Sequence, residues 1–446
     1  MHGNPSLALN PPPSIDATPG VRLPVGKAMV VGIGNALEFY DFLAFSYFAI
    51  QIGHVFFPAS QTSHGLLWSL ATFGIGFIPR PLGAIVIGSF GDRVGRKPAM
   101  VLSFSLMGAS IVGLALTPSY AQIGIAAPIL LLTFRLIQGF ALGGEVGPST
   151  ALLIEAAPPG RQGLYVALQY ATQGIAILSA GLVGFFVSST LSPEALESWG
   201  WRVAFLVGAA VVPVGLYIRR NLPETLHAAE PRAESVPRRR ISVVMIALAL
   251  LMLGSNTIGT YTMNYMNTYA QDTLKLLPQV AFGATITLGI CLTLAAPVGG
   301  WLSDRIGAKP VMLGSVTTML VIAVPGYILL NVLRTAPALY TLTAILSFLN
   351  QLACVGVMAA IAQNLPKSAR SGGIAMLYAG AVATFGGSAQ FIVKLLTDAT
   401  GSPIAPAWYL TGALIIGGLA MSAFRSGSQP TSDQTLDRPG TGGRRA

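Results

Sequence analysis

The sequence predicts an all-α membrane protein of twelve transmembrane helices, arranged as two repeats of six. Three observations predict this fold class: long apolar segments, a scarcity of charge, and a duplicated loop motif. Hydrophobic residues make up 53% of the 446-residue chain, and charged residues make up only 9%. Since a soluble domain carries roughly 25% charged residues, most of this chain must face lipid or other helices.

Twelve segments are long enough to cross a hydrocarbon core, which needs roughly 20 apolar residues of helix. They cover residues 28–52, 63–89, 98–117, 124–154, 162–188, 200–218, 241–268, 278–302, 309–330, 337–362, 371–396 and 404–424. The only long polar interruption between them is 219–240, which follows the sixth segment. The sequence therefore predicts six helices, a polar loop and six further helices.

This division gives five predicted regions. They are a cytoplasmic tail at 1–27, a first six-helix bundle at 28–218, a cytoplasmic loop at 219–240, a second six-helix bundle at 241–425, and a cytoplasmic tail at 426–446. Both tails are rich in polar residues, proline and glycine, so we expect them to be disordered. The first tail lacks the charged start and apolar core of a signal peptide.

The basic residues predict the orientation of the helices. If both tails and the central loop lie on one side, 20 of the 26 lysine and arginine residues fall on that side. Because cytoplasmic loops carry the excess of lysine and arginine, we expect both termini in the cytoplasm and the chain in the inner (cytoplasmic) membrane. The net charge of +10 is then a topology signal, and no nucleic-acid partner is expected.

A loop motif occurs once in each half of the chain. The runs GSFGDRVGRK at 88–97 and GWLSDRIGAK at 300–309 share the pattern G-x-x-x-D-R-x-G-x-K, and each follows the second helix of its half. A second echo follows the fourth helices, with EAAPPGR at 155–161 and QNLPKSAR at 363–370. Six-helix repeats that run in the same sense are typical of membrane carriers.

With these motifs the chain resembles the major facilitator superfamily over residues 28–425. The runs GNALEFYDF, IPRPLGA, RLIQGFALGGE, WGWRVAF and RRNLPET are similar to those of its metabolite:proton symporter family, most of all its citrate and tricarballylate symporters. The resemblance implies the major facilitator fold. It also implies proton-coupled uptake of a small organic acid, such as citrate or another di- or tricarboxylate, by alternating access.

The same resemblance implies the partners. They are an organic acid, protons and the lipid bilayer, with no obligatory protein partner and a monomeric chain. No cofactor is expected besides the proton as coupling ion. The histidines are scattered and no phosphate-binding loop occurs, so neither a metal site, ATP hydrolysis nor another enzymatic activity is expected.

A cytoplasmic gate is predicted at the duplicated loops. The resemblance implies a charge network that closes this side, formed by Asp92, Arg93, Arg96, Glu155 and Arg161, with Asp304 and Arg305 as the equivalents in the second half. Gly88 is expected to let two helices approach closely. Because Ala308 replaces a basic residue and Gln363 stands at the position of Glu155, the second latch is expected to be weaker.

Five charged residues lie deep inside predicted helices of the first half: Glu38, Asp41, Arg80, Arg135 and Glu145. Depths estimated from the helical rise place Asp41 level with Arg135, and Glu38 and Glu145 level with Arg80. An ionised side chain at mid-membrane costs roughly 2.5 kcal/mol or more unless it is paired. Three acids against two arginines leave one excess negative charge, which favours binding of one proton.

We therefore interpret Glu38, Asp41, Glu145 and Arg135 as proton-coupling residues. Static structural pairing is the alternative interpretation of the same charges. The resemblance to related sugar carriers, which pair an acid of helix 1 with an arginine of helix 4, favours Asp41 with Arg135.

The predicted substrate contacts are Arg135 and Arg80, with Gln169 and Gln173 on helix 5, Asn264 and Tyr265 on helix 7, and Tyr378 and Gln390 on helix 11. Polar residues also form a stripe on helix 7, and polar residues recur on helix 10. The stripe consists of Asn256, Thr260, Asn264 and Asn267, with Tyr261 and Tyr265 alongside, and those on helix 10 are Asn350 and Gln351. These neutral side chains suit hydrogen bonding to carboxylates and hydroxyls. Interhelical hydrogen bonding is the alternative reason for each of them.

Two other functions remain open from the sequence. One is a proton-coupled carrier or an exporter of another metabolite: a keto acid, a shikimate-like acid, or a zwitterion such as betaine or proline. The other is a membrane receptor that senses a metabolite without transporting it. The duplicated gating loops disfavour a receptor, because a receptor has no need to open alternately to both sides.

Overall fold

The computed structural model describes residues 36, 39–58, 64–94, 96–143, 162–209, 213, 242–365 and 367–424. Every one of the twelve predicted segments contains helix within these residues. The predicted tails and the loop at 219–240, which divides the predicted bundles, lie outside them.

Twelve helices follow one another along the described part of the chain. In chain order they are α1 at residues 39–56, α2 at Gly65–Ile75 and Arg80–Val94, α3 at Arg96–Leu116, α4 at Ala126–Gly143, α5 at Gln162–Thr190, α6 at 201–209, α7 at Val243–Asn264 and Met266–Asp272, α8 at Pro278–Ile306, α9 at Ala308–Leu333, α10 at Ala336–Asn364, α11 at Lys367–Ala381 and Gly387–Thr400, and α12 at Ala405–Ala423.

The helices have the length and composition of membrane spans. Nine segments of the described chain are long and apolar enough to cross a membrane, with mean hydropathy between 1.3 and 2.0. Large apolar side chains such as Phe186, Val321 and Leu419 are about two-thirds exposed on the outer surface of the fold. Such a surface suits contact with lipid and not with water.

Several helices change geometry along their length. The first helix of each half is interrupted, α1 at Phe48 and α7 at Tyr265. A turn at 76–79 divides α2 just before Arg80, and a π-helical turn, Val382–Gly386, divides α11. Such π-turns are frequent at functional sites, and breaks in membrane helices are tolerated where the backbone is buried in protein.

Glycines bring α2 and α4 into backbone contact. A Cβ atom on Gly139 would overlap the carbonyl oxygen of Gly76, and a Cβ on Gly143 would overlap that of Arg80. Small residues at this four-residue spacing allow membrane helices to pack closely. The contact places Arg80 of α2 beside the helix that carries Arg135.

The expected close approach at Gly88 is not found. No described atom lies within 4 Å of the position that a Cβ on Gly88 would take. The close contact of α2 lies instead one and a half turns earlier, at Gly83, which abuts the carbonyl of Phe140 on α4. In the second half, the motif glycine Gly300 does pack tightly, because its Cβ would lie 2.7 Å from the carbonyl oxygen of Gly163 on α5.

The helices α5 and α8 pack along each other across the two halves of the chain. A Cβ on Gly174 would lie 2.6 Å from the backbone nitrogen of Thr293, and one on Gly181 would lie 2.8 Å from that of Ile286. The cavity described below lies beside this seam.

The α2–α4 contact generates a stability prediction. Replacement of Gly139 by Ala is expected to destabilise the protein by about 1–3 kcal/mol, because the added methyl group must push two backbones apart. Thermal unfolding of the detergent-purified protein measures the change. Gly314→Ala on α9 is the control, since no described atom lies within 4 Å of its Cβ position. Equal melting temperatures for the two variants would contradict the prediction.

Candidate functional site

A cavity lies between the two halves of the chain, within a region of about 600 Å³ of space free of protein atoms that includes space open to solvent. It is lined by Phe39 and Leu43 of α1, Tyr170, Gln173 and Ile177 of α5, Leu253, Asn256, Thr257, Thr260, Tyr261 and Asn264 of α7, Leu292 of α8, Gln351 and Cys354 of α10, and Tyr378 and Val382 of α11. Ligand sites of this kind are mostly apolar with a few placed polar groups. This cavity is therefore the candidate substrate site.

The lining side chains repeat at helical spacing. On α7 they stand at positions 253, 256, 257, 260, 261 and 264, which is one continuous face of a helix. On α5 they stand at 170, 173 and 177. Spacings of three and four residues place side chains on one face, so each helix presents a single stripe to the cavity.

Arg135 is buried in an aromatic pocket next to this cavity. Its guanidinium carbon lies 4.3 Å from the ring centre of Phe42, 4.4 Å from that of Phe45 and 5.2 Å from that of Phe73. The Nη1 group donates a hydrogen bond of 2.6 Å to Gln138 Oε1, one turn along α4. Cation–π contacts of a desolvated arginine are worth about 2 kcal/mol, so the rings replace part of the hydration that Arg135 has lost.

Arg80 shares the aromatic pocket. Its guanidinium carbon lies 4.3 Å from the ring centre of Phe42 and 4.1 Å from that of Phe77. The ring of Phe42 therefore contacts both cations. Arg80 also lies within hydrogen-bonding range of the Tyr261 side chain, which lines the cavity. Tyr261 thus connects the cavity to the two positive charges.

Asp41 is buried on another side of α1. Its exposed fraction is 2%, and its Oδ1 atom has no hydrogen-bond partner among the described residues. A Cβ on Gly208 of α6 would overlap that oxygen, so the carboxyl group lies directly against the α6 backbone. The neighbouring Tyr40 hydroxyl donates to the carbonyl of Ala204, also on α6, at 3.0 Å.

The expected ion pair between Asp41 and Arg135 is not formed. The ion pairs among the described residues are His54–Glu197 and those of Asp272 and Asp398 with lysines, and none includes Asp41. The rings of Phe42 and Phe45 occupy the face of α1 that meets Arg135, so the carboxyl group of Asp41 meets α6 instead. The two other predicted proton-coupling acids, Glu38 and Glu145, lie outside the described residues.

The predicted substrate contacts divide into two sets. Gln173, Asn264 and Tyr378 line the cavity, and Gln173 lies within hydrogen-bonding range of Tyr378. Gln169 and Tyr265 are buried and are not among the lining residues.

Gln390 also lies away from the cavity lining. Its Oε1 accepts a hydrogen bond of 2.8 Å from Ser46, and its Nε2 group donates to the carbonyl of Tyr261 at 3.5 Å. Its contacts are therefore structural ones between α1, α7 and α11.

Three lining residues with hydroxyl or thiol groups were not predicted: Tyr170, Thr257 and Cys354. Each stands three or four residues from a predicted polar residue on the same helix, at positions 173, 260 or 261, and 351. Extending the polar stripes by one helical step would have found them.

Similarity to known proteins identifies the family. The family model of the Major Facilitator Superfamily matches residues 41–389. The chain belongs to the major facilitator superfamily. A citrate-proton symporter of Klebsiella pneumoniae is 34% identical over 405 residues, covering 89% of this chain and 90% of that protein. An alpha-ketoglutarate permease of Escherichia coli K12 is 34% identical over 389 residues, covering 85% and 88%.

A solved structure supports the fold. The crystal structure of a D-xylose-proton symporter aligns with 90% of this chain and 97% of its own, with a TM-score of 0.71 at 17% sequence identity. That likeness concerns the fold alone. This major facilitator chain is accordingly an all-α, multi-pass membrane protein.

Three side-chain hydrogen bonds join the halves of this major facilitator protein near the predicted outer end. Ser46 donates to Gln390, the Tyr47 hydroxyl donates to Asn264 Oδ1, and Gln51 donates to Gln271 Oε1 at 3.4 Å. The donors all belong to α1, beside its interruption. We name these three pairs the outer contacts.

At the predicted cytoplasmic end, one carboxylate joins the halves. Asp304 at the end of α8 accepts hydrogen bonds from the backbone nitrogens of Gly163 at 2.8 Å and Leu164 at 3.1 Å. A carboxylate is stabilised at a helix N-terminus by the exposed amides and the helix dipole. Asp304 therefore joins α8 to the start of α5, and its role in a gate stays a prediction.

The other predicted gate residues provide less evidence for a gate. Arg305 lies over the ring of Trp301 on its own helix, at 5.2 Å, and Arg93 is exposed. The side chains of Asp92 and Arg96, and the whole of Glu155 and Arg161, lie outside the described residues. Their roles stay predictions.

The outer contacts generate an accessibility prediction. Tyr47→Phe removes one hydrogen bond, worth about 1 kcal/mol, from the closed outer end. We expect Cys354 in the cavity to react about fivefold faster with a membrane-impermeant thiol reagent added from outside. The measurement uses a Cys291→Ser background, because Cys291 is the second free thiol.

Tyr269→Phe is the matched control for this variant. Its hydroxyl donates to the Pro403 carbonyl, at 2.7 Å within the second half, and so does not join the halves. Unchanged labelling in Tyr47→Phe, or an equal increase in Tyr269→Phe, would show that the Tyr47 contact does not hold the outer end closed.

Proposed function

We propose that this protein is a proton-coupled symporter that takes up a small di- or tricarboxylate across the inner membrane by alternating access. The observation that carries the proposal is the position of Tyr261. Its side chain lines the central cavity and lies next to the two buried guanidinium groups. A neutral solute needs no cation in the membrane interior, where each costs roughly 2.5 kcal/mol or more. An anion would offset that cost.

The other lining residues suit the same class of substrate. The amides of Gln173, Asn256 and Gln351 offer N–H donors to carboxylate oxygens, and Tyr170 and Tyr378 offer hydroxyls. The sequence similarity to a citrate-proton symporter and an alpha-ketoglutarate permease supports a substrate with two or three carboxyl groups. Both are transport proteins, which supports transport over metabolite sensing or catalysis.

Asp41 is the proposed site of the coupling proton. An ionised carboxylate without a cation partner in the membrane interior costs several kcal/mol, so the position against Gly208 favours the carboxyl form that carries a proton. Movement of α1 relative to α4 and α6 would bring Asp41 towards Arg135 and release the proton. The interruption of α1 at Phe48 provides a place for such movement.

Proton-driven uptake is tested with proteoliposomes that contain the purified protein. Labelled citrate and labelled α-ketoglutarate are supplied with and without an inward proton gradient, beside labelled proline and betaine. We expect the gradient to drive accumulation of at least one carboxylate. Accumulation of proline or betaine alone would contradict the substrate class, and binding without movement of any solute would indicate a sensor.

Asp41→Asn is expected to separate exchange from accumulation. The amide cannot take up and release the proton, so substrate exchange should persist while gradient-driven accumulation is lost. Asp272→Asn is the control, because Asp272 lies near the outer end of α7, paired with Lys394 at 2.8 Å. Normal accumulation by Asp41→Asn would assign the proton to another group.

Arg135→Gln is expected to impair both substrate affinity and proton coupling. The guanidinium group of Arg135 lies in the aromatic pocket, and it is also the group that Asp41 would approach when α1 moves. We expect the apparent KM for the carboxylate to rise about tenfold and the gradient to lose its effect on accumulation. Arg334→Gln, at an exposed arginine, is the control. Loss of only one of the two properties would show that Arg135 does not serve both.

A further inference from the structure

Three buried amides line the cavity, and two of them carry hydrogen-bonding groups that no described residue satisfies. These groups are Nδ2 and Oδ1 of Asn256 and Nε2 of Gln351. The third amide, Gln173, lies within hydrogen-bonding range of Tyr378. The three side chains are 4%, 2% and 9% exposed. A buried polar group without a partner costs about 1–3 kcal/mol, so a ligand that supplies the partners gains this free energy on binding. We name these three residues the amide wall.

Asn256 restricts which chemical group fits. Both atoms of its amide lack a partner, so the argument holds for either assignment of the oxygen and the nitrogen. An ionised carboxylate only accepts hydrogen bonds. It would satisfy Nδ2 and leave its own negative charge facing Oδ1. A carboxyl group that keeps its proton both donates and accepts, so it can form two hydrogen bonds with a primary amide.

The charges near the amide wall also favour a substrate whose protonated carboxyl group faces the wall. The titratable side chains among the described lining residues are Tyr170, Tyr261, Tyr378 and Cys354, and these residue types are ordinarily neutral near pH 7. The two described cations nearby, Arg80 and Arg135, are reached through Tyr261. Between about pH 5 and about pH 7.5 the substrate therefore changes its charge, whereas the described lining does not.

We propose that the amide wall binds a protonated carboxyl group of the substrate, with Asn256 as the residue that selects it. This inference rests on the proposed uptake of a di- or tricarboxylate. The remaining carboxylate lies towards Tyr261 and Arg80. The protein then transports a partly protonated acid, and one of the protons that enter is carried by the substrate itself.

The test compares each acid with its own monoamide, because a primary amide donates and accepts like a protonated carboxyl but does not titrate. The pairs are glutarate with its monoamide and tricarballylate with a terminal monoamide. Each competes against exchange of labelled citrate or α-ketoglutarate in proteoliposomes with equal pH on both sides. Neither pair carries an alcohol hydroxyl, which is the other group that could both donate and accept.

At about pH 7.5 we expect the monoamide to compete at least about tenfold better than the acid. At about pH 5, where more of the acid is protonated, we expect the two to differ by less than about threefold. An acid that competes as well as its monoamide at the higher pH would overturn the inference. A second result would also overturn the inference, namely a preference for citrate over tricarballylate by the same factor at both pH values. It would show that the amide wall binds the hydroxyl group of the substrate and not a protonated carboxyl group.

Variants assign the effect to the amide wall. Asn256→Leu removes both hydrogen-bonding atoms at similar volume and should abolish the preference for the monoamide, and Gln351→Leu should reduce it. Asn364→Leu is the control, because Asn364 lies on the same helix as Gln351, outside the cavity lining, and donates to its own helix at Ala360. A preference that persists in Asn256→Leu would overturn the role of Asn256.

The wild-type comparison needs no substitution, so the inference stays testable if a variant does not fold. If no carboxylate exchanges or competes at any pH, the proposed function fails, and this inference fails with it. If carboxylates are transported but the monoamides compete poorly at both pH values, only the protonated-carboxyl inference fails.

Discussion

Two guanidinium groups beside one phenylalanine ring are the constraint on which the site depends. The guanidinium carbons of Arg80 and Arg135 each lie 4.3 Å from the ring centre of Phe42. Like charges repel each other, and burying either charge in the membrane interior costs free energy. The arrangement persists because Phe45, Phe73 and Phe77 supply further ring faces and because glycine contacts fix α2 against α4. The aromatic pocket therefore holds two positive charges close to the cavity, and an anion bound beside Tyr261 would be attracted to them.

The two halves of the chain contribute different chemistry to the cavity. The first half supplies Arg80, Arg135 and Asp41 near the cavity, and Tyr170 and Gln173 to its lining. The described lining residues of the second half supply amides, hydroxyls and a thiol, and none of them is a cation or an acid. A polyanion bound only by cations would be hard to release. A site with the arginines at one end and the neutral amide wall at the other binds a polyanion less tightly. It also distinguishes the two ends of the substrate, because the amide wall accepts a protonated carboxyl group, which the arginines do not favour.

The sequence predicts the fold well because the signals for it are local. Apolar length and loop charge locate the helices one at a time, and all twelve predicted segments contain described helix. The site was predicted less completely because its geometry depends on which face each helix presents. The predicted contacts Gln173, Asn264 and Tyr378 do line the cavity. Depth along the membrane normal, however, could not show that Phe42 and Phe45 would occupy the face towards Arg135. Likewise, the shared motif could not show that Gly300 packs tightly against α5 whereas no described atom lies within 4 Å of the Gly88 Cβ position. That difference depends on the partner helices.

Asn264 joins the substrate site to the closed outer end. It lines the cavity and also accepts the Tyr47 hydroxyl from the opposite half, and its own Nδ2 group donates to the carbonyl of Thr260 at 2.8 Å. Its oxygen can accept from the Tyr47 hydroxyl or from a protonated group of the substrate, and the choice between them alters the stability of the outer contacts. A ligand shifts a conformational equilibrium only by its difference in affinity for the two states. Asn264 provides such a difference, because the partner of its oxygen in the closed state is a residue of the other half.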